Sequence, residues 1–220
     1  MEKILIHPTY FPNIISFANI LYADEVLFEI SDYYEKQTYR NRMHIQSANA
    51  LQKLSVPVTH TKKDGKQFYK EVKISFEFNW PKLHWRSLET AYRTSPYFEF
   101  YEDDIKPLFF EKKEKLVEFN IEAIKKIMEI LGVPFSFKLT DKYLKNRPEY
   151  KDLRFLANAK TNLQVYHELP EYYQLFSDRY GFMPNLSLLD LLFMKGPEST
   201  DYLKEVYEVT KDKIHSNGLI

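Results

Sequence analysis

KILIHPTYFPNIISFANILYADEVLFEI, residues 3–30, is the stretch that sets the fold. The apolar run at 3–6 stops at His7-Pro8 and predicts a short buried strand. Ile14, Phe17, Ala18 and Leu21 then recur at helical spacing, and Asn13 stands before them as the N-cap. After Asp24 the chain returns to a strand pattern at 25–30. Strand, helix and strand within about 30 residues form a βαβ unit, which implies a parallel pair with a right-handed crossover.

Outward from that unit, LQKLSVPV (51–58) and EVKISFEF (71–78) predict two strands of a hairpin attached to the parallel sheet. The second alternates, with Val72, Ile74, Phe76 and Phe78 on one side, and Asp64-Gly65 supplies a turn between them. From Trp80 helical patterns dominate: one to Ser95-Pro96, one to about Phe110 interrupted by Pro107, and one with Leu116, Phe119, Ala123, Ile124, Ile127 and Leu131 on a single face. Gly132 and Pro134 suit the end of the third. FSFKL (135–139) predicts a strand and KNRPEYKD (145–152) a polar loop. Further helices are expected around 171–180, 186–194 (capped by Asn185 or Ser187) and 198–212, with a frayed tail HSNGLI. The expected architecture is α/β: a mostly parallel sheet with a βαβ start, an attached antiparallel hairpin and a helical C-terminal half. One domain covers 1–220, its sheet portion at 1–79 and its mainly helical portion at 80–220.

The composition narrows the function classes. Hydrophobic residues make up 44% and charged residues 28%, enough for a core and an ordinary surface. Lys+Arg and Asp+Glu each number 31, so no global charge attracts nucleic acid or acidic lipid, and self-association meets little repulsion. With no cysteine, a disulfide framework, a thiolate zinc site, an iron–sulfur cluster and a Cys nucleophile are excluded. The opening residues do not read as a signal peptide and no stretch reaches the ~18–20 apolar residues of a membrane span, so the cytoplasm is the expected location. Aromatic residues reach 16%, a surplus that suits a cleft with aromatic walls and hydroxyl rims.

Ligands of open parallel sheets sit beyond the carboxyl ends of the strands, beside helix N-termini. His7, Tyr10 and Asn13 fall there, and the free N–H groups of the first helix suit a phosphate or carboxylate. Arg40 and Arg42 flank Asn41 in QTYRNR (37–42), and two guanidinium forks suit bidentate anion binding. His84, in Leu83-His84-Trp85, suits an acid–base role. Glycine-rich phosphate loops, a G-x-S-x-G elbow and metal-type histidine spacing are all missing, so no metal and no cofactor is expected. Asp103-Asp104 and Glu198 are visible carboxylates that a solvated face explains. Asp190, in the apolar helix of GFMPNLSLLDLLFMKGPES (181–199), needs a partner, for which Arg42 or Arg154 is a candidate.

Four blocks together carry a resemblance. HPTYFPNIISFANILYADEVLFEI, QTYRNRMHIQSANALQKLSVPV, ISFEFNWPKLHWRSLETAYRTSPYFEFYEDDI and YYQLFSDRYGFMPNLSLLDLLFMKGPES resemble the WbqC-like family of bacterial surface-polysaccharide gene clusters, over roughly residues 3–199. The chain departs from the family's commoner pattern at His7, where many relatives carry Gln, and at Ala50, where Gly often sits. The resemblance implies a setting among genes for O-antigen or other surface glycans. It implies, for some members, a glycine- or acyl-transferase role on amino sugars.

The leading expectation is therefore a transferase or modifying enzyme acting on a nucleotide- or lipid-linked sugar. Arg40, Arg42 and the helix start near Asn13 would hold phosphate, Tyr10 would contact the sugar or base, and His84 or His7 would move the proton. The alternatives are a non-catalytic assembly module of a glycan-synthesis complex and a nucleotide-dependent ligase or adenylyl-transfer enzyme.

Overall fold

The computed structural model describes residues 2–59, 66–161 and 163–214. The βαβ opening forms as read. β1 (Lys3–Ile6) and β2 (Glu25–Phe28) run parallel in the register Lys3 opposite Glu25 to Ile6 opposite Phe28, joined by α1 (Ile14–Tyr22). Asn13 caps α1, its Oδ1 accepting the Ser16 N–H at 2.9 Å. Ile4, Leu5, Ile6, Val26, Leu27 and Phe28 are all buried, as befits central strands of a sheet covered on both faces.

β3 (Arg42–Ser47) and β4 (Ala50–Ser55) make the antiparallel hairpin, a separate two-stranded sheet. The expected hairpin is thus present, but its first strand lies earlier than read. Residues 71–78 form no strand. Tyr69–Glu71 is a 3₁₀ turn, and beyond it only single bridges, Val58 with Ile74 and Lys73 with Lys115, remain of the alternating pattern. The backbone there alternates partners between residues 57–59 and 114–116, so no ladder grows, and Phe76 and Phe78 stay exposed. The turn expected at Asp64-Gly65 lies outside the described residues, as does the tail from His215 on.

Three helices follow: α2 (Trp80–Tyr92), α3 (Phe98–Phe110) and α4 (Leu116–Ile130). α3 runs through Pro107 without a break. Gly132, at φ +69°, turns the chain after α4. β5 (Lys138–Leu139) then pairs in parallel with β2, and β6 (Lys151–Asp152) with β1, giving the parallel order β5-β2-β1-β6. The polar loop expected at 145–152 thus ends in a strand.

The remaining helices are α5 (Ser177–Tyr180), α6 (Leu188–Lys195) and α7 (Ser199–Thr210). The helix expected over 171–180 shrinks to four residues because the Gln174 side chain grips Met183 from both sides, donating to its carbonyl (2.9 Å) and accepting from its N–H (2.8 Å). Ser187 caps α6. One hydrophobic cluster joins both halves of the chain, from Ile4 to Ile214.

Candidate functional site

The parallel strands converge, at their carboxyl ends, on one polar constellation. His7 follows β1 and Glu29 follows β2, with Ser31 and Asp32 next; Thr140 follows β5 and Arg154 lies just beyond β6. This is the edge where open α/β sheets place their ligands. Glu29 is wholly buried and is held by the Thr140 hydroxyl (2.8 Å), the Ser31 N–H (2.9 Å) and Arg154 (3.4 Å). Arg154 uses all five donors on fixed acceptors: Asp152, Glu29 and the carbonyls of Leu144 and Lys145.

His7, Asp32 and Arg40 form one charged corner of this constellation. His7 Nε2 lies 2.8 Å from Asp32 Oδ2, and Arg40 Nη2 lies 2.9 Å from the same oxygen and 3.0 Å from His7 Nε2. Arg40 also donates to the Tyr33 carbonyl (2.9 Å) and sits 5.2 Å from the Tyr69 ring centre. His7 Nδ1 faces the Arg154 carbonyl at 3.2 Å and Nε2 faces Asp32 Oδ2 at 2.8 Å, and both partners are acceptors. The neutral ring can donate to one of them, and the imidazolium donates to both.

Burial and the Arg40 charge hold the His7 pKa below its ordinary value, against the pull of Asp32. For Asp32, burial pushes upward, but the His7 bond and the charges of His7, Arg40 and Arg154 outweigh it and keep the carboxyl ionised below its usual range. The corner thus joins a neutral imidazole to a carboxylate ready to stabilise its cation, an arrangement suited to taking up a proton. Asp32 Oδ1 and Arg40 Nε have no hydrogen-bond partner among the described residues.

The corner opens on a hollow of about 270 Å³ lined by His7, Asp32, Glu35, Arg40, Asp152 and Arg154. A second hollow of about 370 Å³ adjoins it, sharing Asp32, Glu35 and Tyr143 and walled further by Tyr33 and Phe68. Arg40 pairs with Asp32 and Arg154 with Asp152, so among the described residues Glu35 is the carboxylate on the first hollow's wall that makes no ion pair. Among the described residues, no group of three or more His, Asp or Glu side chains is arranged to hold a metal ion.

The model of the WbqC-like protein family matches residues 7–161, a stretch that contains every residue lining both hollows. The chain belongs to this family. A relative in Mycobacterium tuberculosis, the uncharacterized protein Rv1507c, is 28% identical to this WbqC-like chain over 93% of its length and 98% of the relative's. No solved structure matches it. Among the described residues, no helix is long and apolar enough to cross a membrane.

Of the residues singled out from the sequence, the structure brings His7 and Arg40 together and separates the rest from them. The amino end of α1 is closed to an anion: Ile14 N–H bonds the Leu186 carbonyl (3.0 Å), Ile15 N–H bonds Asn185 (2.9 Å) and Ser16 N–H bonds Asn13. Asn13 therefore works as a cap. Tyr10 is fully buried and lines neither of the two hollows. Its hydroxyl, pushed far up by burial, donates to His84 Nδ1 at 2.8 Å. Burial depresses His84 to about 4, so it is a neutral core histidine, packed edge-on to Trp80. Asn41 ties down the hairpin's open end through the Val56 carbonyl (2.9 Å). Arg42 begins β3, half-buried, and acts with Arg40 on the Tyr34 hydroxyl, which burial nonetheless raises to about 12.

Asp190 has neither arginine expected of it. It accepts from the Tyr92 hydroxyl (2.6 Å), the Tyr172 hydroxyl (2.5 Å) and Gln174 (3.4 Å), and burial raises its pKa to about 6.

Asp32, Glu29, Thr140 and Arg154 escaped the sequence reading as site residues. A signal was present for Asp32: it lies shortly past the second parallel strand, as His7 lies past the first.

Proposed function

We propose that this chain is a transferase or modifying enzyme acting on a sugar carried by a nucleotide or lipid, with the His7–Asp32–Arg40 corner as its reacting end. The observation that carries this reading is the 2.8 Å contact between His7 Nε2 and Asp32 at the carboxyl edge of the sheet, on the wall of a hollow. As a hydroxyl or amine of the sugar attacks the acyl carbon of a donor, and the donor's leaving group departs with the electron pair of the bond that breaks, the nucleophile's proton would pass to the His7–Asp32 pair. Asp32 would stabilise the resulting imidazolium, and Arg40 would fix Asp32 in place. The acidic wall favours an acceptor that donates hydrogens, which a hydroxyl or an ammonium does and a phosphate does not. The likeness to surface-polysaccharide genes supports a glycan as the acceptor.

The test begins with mass spectrometry of small molecules that copurify with the folded chain, followed by calorimetric titration and turnover assays against nucleotide-sugars and acyl donors. Binding and turnover by the wild type, with turnover lost in Asp32→Asn, are expected. A wild type that binds no sugar-bearing compound, or an Asp32→Asn variant that turns over normally, would remove the proposal.

A further inference from the structure

The second hollow is built from groups that ordinarily hide. Tyr33 and Phe68 stack with ring centres 4.9 Å apart and planes at 16°, yet they remain 48% and 38% exposed. Tyr143, on the same wall, is 50% exposed. The pair is held by backbone: Tyr33 and Phe68 face each other across an antiparallel bridge, Tyr34 N–H bonds the Gln67 carbonyl (2.8 Å) and Tyr69 N–H bonds the Asp32 carbonyl (2.9 Å). A half-exposed aromatic wall held by backbone bonds, beside the partly buried Asp32 and the exposed Glu35, is a binding surface, because large rings are stabilised by burial unless something else covers them.

The chemistry of the occupant follows from its neighbours. Asp32 and Glu35 line the hollow and repel a phosphate inside it. A nucleobase presents few hydrogens to two carboxylates, whereas a pyranose presents hydroxyl or ammonium hydrogens around its rim and C–H groups to the rings. Outside, the Lys66 ammonium lies 5.4 Å from the Tyr33 ring centre and that of Lys70 5.8 Å from the Phe68 ring centre. Neither makes an ion pair among the described residues.

We propose that the hollow walled by Tyr33, Phe68 and Tyr143 seats the pyranose ring of the substrate, with Lys66 and Lys70 meeting the phosphate that joins the sugar to its carrier. This rests on the His7–Asp32 reading, since the shared Asp32 is what brings the seated sugar to the reacting end. Specificity then lies in the carboxylates, which read the sugar's hydrogen donors, and carrier recognition lies on the rim.

Saturation-transfer NMR on the full chain, with a panel of hexoses, hexosamines and their 1-phosphates, tests it. At least one sugar should bind, and its 1-phosphate should bind roughly tenfold more tightly. Phe68→Ala and Tyr143→Ala should each weaken both forms roughly tenfold. Lys66→Ala with Lys70→Ala should erase only the phosphate advantage. No binding by any member at millimolar concentration, or unchanged binding in both ring variants, overturns the subsite. Equal affinity for free and phosphorylated sugar overturns the lysine assignment. Ring variants that bind normally while Asp32→Asn stops turnover would sink the subsite and leave the reacting end standing. The reverse pattern would sink the reacting end and leave the sugar platform.

Discussion

Two regions of this molecule bury a histidine or an aspartate against tyrosines, and they do different things with them. At the carboxyl edge of the sheet, His7, Asp32 and Arg40 hold charges that face one another and open on a hollow. In the helical interior, His84 with Tyr10, and Asp190 with Tyr92 and Tyr172, form sealed clusters with no cation. Both regions shift pKa values, but only the first does so with opposed charges beside a space a ligand can enter. Burial and a titratable group are therefore insufficient marks of a site. The sealed clusters serve to join elements: Tyr10–His84 ties the turn after β1 to α2, and Asp190 ties α6 to α2 and to the segment before α5.

The largest effect that sharpens this contrast is expected at His7. Gln at position 7 can accept from Arg40 and donate to Asp32 or to the Arg154 carbonyl, but it cannot take up a proton. His7→Gln should lower turnover by about 10²–10⁴-fold while leaving thermal stability nearly unchanged. Measured kcat against pH in the wild type should fall on the acid side below the ordinary histidine range, since burial and Arg40 lower the His7 pKa. A His7→Gln variant with wild-type turnover would move the proton acceptor to Asp32 and make position 7 a positioning residue.

The sealed region should speak through stability instead. His84 falls to about 4 in the folded chain, from 6.5. A depressed histidine supports the fold above its unfolded pKa and loses that support as pH falls toward the folded value. Between pH 7.5 and 5 this amounts to about 2 kcal/mol of destabilisation. Asp190 has the opposite sign. Its carboxyl is raised from 3.8 to about 6, so its ionisation opposes folding at pH 7.5, and acidification to pH 5 returns on the order of 1 kcal/mol. Urea melts of wild type, His84→Gln and Asp190→Asn at the two pH values separate the two. The first variant should lose less stability on acidification than wild type, and the second should lose more. Parallel shifts in all three proteins would contradict the neutral, sealed character of these clusters.

How much of this was legible in the sequence depended on whether a pattern or a partner decided the outcome. Ile14, Phe17, Ala18 and Leu21 could be read because a helix bonds within itself, and β1, α1 and β2 form as expected. The alternation at Val72, Ile74, Phe76 and Phe78 misled, because a strand needs a neighbour of matching length and residues 71–78 have none. β6 is two polar residues, Lys151 and Asp152, and no periodicity exists over so short a span. Arg154 was hidden for the same reason. His7 and Arg40 were singled out from residue chemistry and position, while Asp32 sat in EISDYYEK and read as part of an acidic link. The anion site expected at the start of α1 failed on a contact from far along the chain, since Asn185 and Leu186 occupy its N–H groups.

The smallest effect concerns a position where the backbone itself is strained. Ala50 opens β4 at φ +69°, in the left-handed region that a Cβ disfavours by roughly 1–2 kcal/mol. Ala50→Gly relieves that strain, but glycine also widens the unfolded ensemble by roughly 0.4–1 kcal/mol. The net gain should lie between about 0 and about 1.6 kcal/mol, read as a higher urea midpoint at unchanged slope. The hairpin packs on α2 and α6, the helices that carry His84 and Asp190, so the gain belongs to the sealed region. Sugar binding and turnover at the carboxyl edge should therefore stay where they are. A hairpin substitution that altered turnover without altering stability would mean that the two regions are coupled, and that the division between a site that opens and a core that closes is drawn in the wrong place.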